Sequence, residues 1–187
     1  MIVGITGNYC SGKDSASRLF AEQGFAIVDV DKIGYLALEQ KREELLRHFG
    51  EGVLSGGGID RKKLGAIVFA DGDRKRELEH IVHPWMIGRV KSMVRGRGDM
   101  VINAALLVEM CLFVLCDYVL GIDVSEETAI ERGVARDSLS RGEARARLRS
   151  QIPLKEKLHY VDKIIENNGS FDEFAEEVTG LIRSIRG

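Results

Sequence analysis

Short apolar runs alternate along this chain with longer stretches of helical periodicity. Residues 1–6 open with Met1-Ile2-Val3 and predict a strand. Lys13 to Glu22 predicts a helix, with Leu19 and Phe20 on its apolar side and Gly24 as a stop. Phe25-Ala26-Ile27-Val28 predicts a buried second strand ending at Asp29. Lys32 to Phe49 carries Ile33, Leu36, Leu45, Leu46 and Phe49 at helical spacing. Gly50 to Gly58 is a Gly-rich turn region. Asp60 begins another helical stretch with Leu64, Ile67, Val68 and Phe69, and Asp71-Gly72-Asp73 breaks it. Arg74 to Val94 is a long helical pattern containing His80, His83-Pro84 and Trp85. Met100 to Ala104, Tyr118 to Val124 and Val161 to Ile165 predict three more strands. Ser125 caps a helix between the last two, and a helix with Phe171, Phe174, Val178, Leu181 and Ile182 ends the chain.

Five apolar strands separated by helices predict an α/β fold, a parallel sheet with helices on both faces. Residues 32–98 form a helical insertion between the second and third strands, which must pack beside the sheet or form a subdomain.

The 187 residues suffice for one sizeable domain. Their 44% hydrophobic and 30% charged residues suit a globular protein. Lys plus Arg is 27 and Asp plus Glu is 29, a net charge of -2, which speaks against a nucleic-acid partner. No apolar run reaches the length of a membrane span, so no membrane partner is expected. The first residues enter a strand directly, so no secretory leader is expected either. Cys10, Cys111 and Cys116 are odd in number and lack zinc spacing; they read as reduced thiols, giving a cytoplasmic expectation.

The chemistry concentrates between the first strand and the first helix. Gly7-Asn8-Tyr9-Cys10-Ser11-Gly12-Lys13-Asp14-Ser15 fits the phosphate-binding loop G-x-x-x-x-G-K-[ST] up to its last position. The glycines let successive N–H groups turn inward as a nest for phosphate oxygens. The following helix adds unpaired N–H groups and its positive end. Lys13 adds a point charge for the outer phosphates. Asp14 stands where a hydroxyl normally meets Mg²⁺.

Several separate stretches together resemble the dephospho-coenzyme A kinases. They are Gly7 to Ser15; Val28 to Asp31; Phe49-Gly50 with Ile59-Asp60-Arg61 and Leu64; His83-Pro84; Leu106 to Glu109; Val124-Ser125, Arg132 and Arg136-Asp137; Ser150 to Lys157; and Asp162 to Gly169. Their order and spacing cover nearly the whole chain. The resemblance implies transfer of the ATP γ-phosphoryl group to the ribose 3′-hydroxyl of dephospho-coenzyme A. It implies a phosphate-loop core (1–31, 99–125 and 160–187), an acceptor-binding helical part (32–98) and a lid (126–159). Departures from the family pattern are Asp14, Cys10 where Gly is usual, and Ala105 where Pro is usual. Adenylate kinases place a hydroxyl one position later, which Ser15 matches here.

On this resemblance Lys13 and the loop amides hold the β- and γ-phosphates. Asp31 is the candidate base and acceptor contact, the alternative being a cap for the helix at Lys32. Capping leaves Asp29 unexplained, read as two residues earlier on the same side of the strand. Asp14, Ser15 and Asp29 are metal candidates, with ATP and Mg²⁺ as the expected cofactors. Arg132 and Arg136 resemble lid arginines reaching the phosphates, with Arg136 also catalytic; otherwise they are a solvated face. Arg141 is a further arginine of this type. His83 and Glu109 are acceptor-side candidates, against structural and surface readings. Cys10, near Lys13 and a helix start, is expected to carry a lowered thiol pKa unless Asp14 cancels the field. The expected partners are small molecules only, ATP and dephospho-coenzyme A, acting on a monomer. Alternatives are a kinase of another small nucleotide or nucleoside, or a nucleotide-binding regulator without turnover.

Overall fold

A computed structural model describes residues 1–96 and 98–187. In chain order the elements are β1 (Ile2–Gly7), α1 (Lys13–Glu22), β2 (Ala26–Asp29), α2 (Val30–Gln40), α3 (Arg42–Phe49), β3 (Leu54–Ser55), β4 (Gly58–Ile59), α4 (Arg61–Ala70) and α5 (Gly72–Val94). They continue with β5 (Met100–Asn103), β6 (Tyr118–Asp123), α6 (Glu126–Asp137), α7 (Arg141–Arg149), β7 (Lys163–Glu166) and α8 (Phe171–Arg186). The chain divides into two compact units. One is Met1–Asp29 with Val94–Gly187, the other Val30–Met93.

In the first unit the five apolar runs pair into one parallel sheet of order β2-β5-β1-β6-β7. The loop strand β1 is central. Val3 and Ile5 on β1, with Val101, Leu120, Ile122 and Ile165 from its neighbours, meet Ala16, Leu19 and Phe20 of α1 and Phe174, Val178 and Ile182 of α8. Two helices thus cover one face, each by the apolar stripe that its periodicity announced. Emptying the fully buried Phe20 site by Phe20→Ala costs about 3–5 kcal/mol. On the other face Gly4 is approached by Leu107 and Cys116, and Gly121 by Leu154 and Val161. β7 begins at Lys163 rather than Val161. The Asp162 carboxylate accepts from the Val119 N–H at 2.7 Å, which replaces a ladder bond just before regular pairing starts.

In the Val30–Met93 unit the pattern from Lys32 to Phe49 is two helices, not one. They part at Lys41, inside the polar run Glu39 to Glu44, which has no apolar residue to hold a straight helix. The Gly-rich segment is more ordered than a turn region. β3 and β4 pair antiparallel across the two-residue turn Gly56-Gly57. Asp60 caps α4, its carboxylate accepting from the N–H groups of Lys62 and Lys63.

Candidate active site

The residues after β1 curl because two of them adopt left-handed backbone conformations, Cys10 at φ 57° and Gly12 at φ 103°. Gly12 is required twice over. A Cβ there would lie 2.2 Å from Asn167 Nδ2, apart from the left-handed strain. Asn167 follows β7, is 7% exposed, and donates Nδ2–H to the Ser11 carbonyl oxygen at 2.8 Å. Its Oδ1 accepts from Arg132 at 3.4 Å. One side chain therefore links the loop, the sheet end and an arginine of α6. Asn168 Oδ1 accepts from the Ser125 N–H at 2.8 Å and steadies the start of that helix.

The loop opens into a cavity of about 560 Å³. Cys10 to Ser15 line one side, Arg132 and Arg136 another, and Arg18, Asn167 and Phe171 complete it. Lys13, Arg18, Arg132 and Arg136 thus line one cavity with the loop and the start of α1, a surface suited to a polyphosphate. Phe171, 60% exposed, adds an apolar ring.

Asp14 lies in the first turn of α1 with an exposed carboxylate. Its Oδ1 accepts from Asn103 Nδ2 at 2.8 Å. The oxygen ligands that a divalent cation would find on this side are Asp14 and the adjoining hydroxyl of Ser15. Among the described residues no group of three or more His, Cys, Asp or Glu side chains forms a ready metal cluster.

Arg132 and Arg136 are held by a helical hairpin, α6 and α7. A capping box at Ser140 and Glu143 starts α7, and Arg141, Arg145 and Arg149 pair with Glu126 or Glu127 at the start of α6. Most of the arginine run thereby closes the hairpin on itself; Arg141 is among those so engaged. Arg136 is different. It grips Asp137 through Nε at 2.8 Å and Nη2 at 3.1 Å. Asp137 also accepts from Arg147 at 3.1 Å and from the Tyr9 hydroxyl at 2.5 Å. The Arg136 hydrogen bond, then that of Tyr9, hold the Asp137 carboxyl down at about 2. Burial, then the Asp137 contact, pushes the Tyr9 phenol up to about 12.

Tyr9 lies outside the cavity lining and packs with Cys10 into a small core with Ala129, Ile130 and Ala144 of the hairpin. Its ring lies so close to α6 that a Cβ on Gly133 would approach Cε1 at 2.6 Å. Its N–H donates to Gln151 Oε1 at 2.7 Å, so this amide is turned to the hairpin. Gly7 and Asn8 also lie outside the lining. The Cys10 expectation reverses. Burial pushes the thiol up, and Arg136 and Lys13 only partly offset it. Among the three cysteines, Cys111 is the exposed one.

Asp29 ends β2, whereas Asp31 is the second residue of α2 in the Val30–Met93 unit. The two carboxylates therefore do not share a strand face, and that argument against capping falls. His83 belongs to α5 of the same unit. Glu109 is not at the end of a strand, because β5 stops at Asn103. Its carboxylate lies 2.7 Å from Nζ of Lys157, which is 2% exposed and also donates to the Ala105 carbonyl oxygen at 3.1 Å. The resemblance marked Lys157 without a role; a lysine amid Leu154 and Leu158 offers no other sequence signal of burial.

Known proteins share this arrangement. The family model described as Dephospho-CoA kinase matches residues 1–173. A dephospho-CoA kinase of Carboxydothermus hydrogenoformans is 35% identical over 97% of this chain and 93% of its own. The solved dephospho-CoA kinase from Campylobacter jejuni superimposes with a TM-score of 0.72 at 29% identity, covering 98% of this chain and 96% of that one. A shikimate kinase from Acinetobacter baumannii shares the fold at TM-score 0.54 and 18% identity, covering 98% and 93%. With its phosphate loop and paired arginines, and matched over nearly all of its length, the chain belongs to the dephospho-CoA kinase family.

Proposed function

We infer that this protein transfers the γ-phosphoryl group of ATP to the ribose 3′-hydroxyl of dephospho-coenzyme A, giving coenzyme A. The observation that carries the reading is the loop cavity faced by Lys13, Arg132 and Arg136, in a chain of this family. Phosphoryl transfer is mainly positioning and charge neutralisation. The loop amides and Lys13 hold the β- and γ-phosphates. Arg132 and Arg136 answer the charge that spreads over the transferred group. Phe171 offers a face to the adenine ring. When bound, Mg²⁺ supplies the charge neutralisation between the β- and γ-phosphates, and Asp14 and Ser15 are the residues that would hold it.

Residues 126–159 act as the lid and residues 32–98 as the acceptor-binding part. Asp31 takes the proton of the acceptor hydroxyl, and His83 contacts the acceptor. Glu109, facing Lys157, is offered as an ion pair rather than as a bare carboxylate. Asp29 is assigned to the water shell of the metal. The protein acts in the cytoplasm as a monomer on small molecules alone.

A coupled assay with ATP, Mg²⁺ and a panel of acceptors tests the reading. Turnover with dephospho-coenzyme A should far exceed that with AMP, adenosine or shikimate. Comparable rates with a plain nucleoside monophosphate would transfer the protein to another small-nucleotide kinase activity. No turnover with any acceptor, alongside tight ATP binding, would make it a regulator. Asp31→Asn should lower kcat by about 10²-fold or more while ATP affinity holds; near wild-type turnover would leave Asp31 as a first-turn acid of α2 and no more.

A further inference from the structure

Phosphate-loop enzymes commonly hold Mg²⁺ with a loop hydroxyl and a separate aspartate. Here position 14 of the loop is itself a carboxylate, and its polar neighbour Asn103 is a neutral amide. We propose that the loop itself carries the charge of the metal site: Asp14 is a direct Mg²⁺ ligand of the ATP complex, and Asn103 aims it. The proposal rests on the ATP reading above.

Two observations carry it. First, Asn103 Nδ2 donates to Asp14 Oδ1 at 2.8 Å, which fixes one carboxylate oxygen and leaves the other to turn outward. Only the amide nitrogen can donate to a carboxylate, so the assignment of the two amide atoms is forced. Second, Asn103 is 4% exposed, yet its Oδ1 is buried without a hydrogen-bond partner among the described residues. A buried acceptor left empty is costly. It sits one carbon from the atom that grips Asp14, so it belongs to the same small site. Mg²⁺ keeps several of its waters when it binds beside phosphates, and those waters are donors. One of them would satisfy Asn103 Oδ1.

The sheet explains why Asn103 is available. It ends β5, between β1 and β2, in register with Ile5 on one side and Asp29 on the other. Register partners of adjacent strands present their side chains to the same face. Asp29 therefore stands on the Asn103 side of the sheet, where it can accept from a metal-bound water. Asn103 separates the two carboxylates with a neutral group.

The arrangement makes Asp14 repel metal-free ATP and hold the Mg²⁺ complex, since like charges a few ångströms apart repel and an intervening cation reverses the sign. Calorimetric titration of ATP, with Mg²⁺ and with a chelator, reads this as a ratio of affinities. The wild type should show a large ratio. Asp14→Ser should shrink it by about tenfold or more, mainly by improving metal-free binding. Asp14→Asn, which keeps the size and loses the charge, should do the same and guards against a defect of shape. The deciding variant is the exchange Asp14→Ser with Asn103→Asp. It places the carboxylate at the other end of the same hydrogen bond and should restore the ratio to within about threefold of wild type. Unchanged affinities in Asp14→Ser and Asp14→Asn overturn the proposal, as does an exchange variant no better than Asp14→Ser alone. If the wild type binds neither form of ATP, the ATP reading itself fails first.

Discussion

The phosphate loop is held from two sides, and the two sides are built differently. On the sheet side, Asn167 and Asn103 reach Ser11 and Asp14 from the ends of β7 and β5, each through one hydrogen bond of 2.8 Å from a buried amide. On the hairpin side, Tyr9, Arg136 and Arg147 meet at Asp137, and Arg141, Arg145 and Arg149 pair with Glu126 or Glu127 at the surface. Buried hydrogen bonds are costly to break because the orphaned partner stays dry. Surface ion pairs are worth about 0–1 kcal/mol each and exchange readily for water or another anion. The contrast teaches a division of labour. The sheet presets the loop, while the hairpin keeps its arginines in pairs that a polyphosphate can displace.

The largest test breaks the sheet side. Gly12→Ala sets a methyl group against Asn167 and imposes a left-handed alanine. It should lower kcat/KM by about 10²-fold or more, the scale of an ångström misplacement at a reacting centre. Steady-state kinetics check this, and near wild-type values would show that the loop is not preset by Asn167. The next test breaks the hairpin side. Gly133→Ala drives a Cβ into the Tyr9 ring and should destabilise the protein by about 1–3 kcal/mol, as overpacking does. Tyr9→Phe keeps the ring and removes only the bond to Asp137, for about 1 kcal/mol. Denaturant unfolding of both should rank them in that order; the reverse order would place the clasp in the hydroxyl rather than in the packing.

A smaller effect follows from pH. Asp137 is depressed to about 2, so its contribution is complete above the ordinary aspartate value of about 3.9 and fades as pH falls toward 2. Tyr9 is raised to about 12, so its contribution is complete below about 10 and fades as pH rises toward 12. Exchange of the Tyr9 amide, followed by NMR and corrected for intrinsic rates, should show constant protection between those limits. A loss of protection near pH 7 would mean that another group governs the clasp. The smallest effect is on thiol chemistry. Alkylation should label Cys111 first and leave Cys10 and Cys116 behind, since Cys111 is the exposed one and desolvation raises the other two thiols, Cys116 to about 12. Peptide mapping with Cys10 labelled first would reinstate the electropositive-loop expectation.

The sheet and the loop were legible because both speak in local patterns. Apolar runs named the five strands, and Gly7, Gly12 and Lys13 named the loop by spacing. Asn167 stood out only as part of the resembling stretch Asp162 to Gly169, and Asn103 not at all; the bonds of both were hidden because their partners, Ser11 and Asp14, are 156 and 89 residues away in sequence. Tyr9 read as one more loop residue because nothing local announces that Gly133 makes room for its ring. The break at Lys41 and the β3–β4 hairpin were lost in a polar run and a Gly-rich run, where periodicity has no contrast to report.

The strand order carries a consequence for how the protein is made. β1 pairs with β5 and β6, and β2 pairs with β5 alone. Neither has a sheet neighbour until residue 100 has been synthesised, so seventy residues, 30 to 99, come between β2 and its partner. At about 5–20 residues per second, that is a wait of roughly 4–14 s. During it Ile2, Val3 and Ile5 have no sheet to enter, while the Val30–Met93 unit can already close its own contacts. The phosphate loop, first in the sequence, is among the last parts of the nascent chain to take shape.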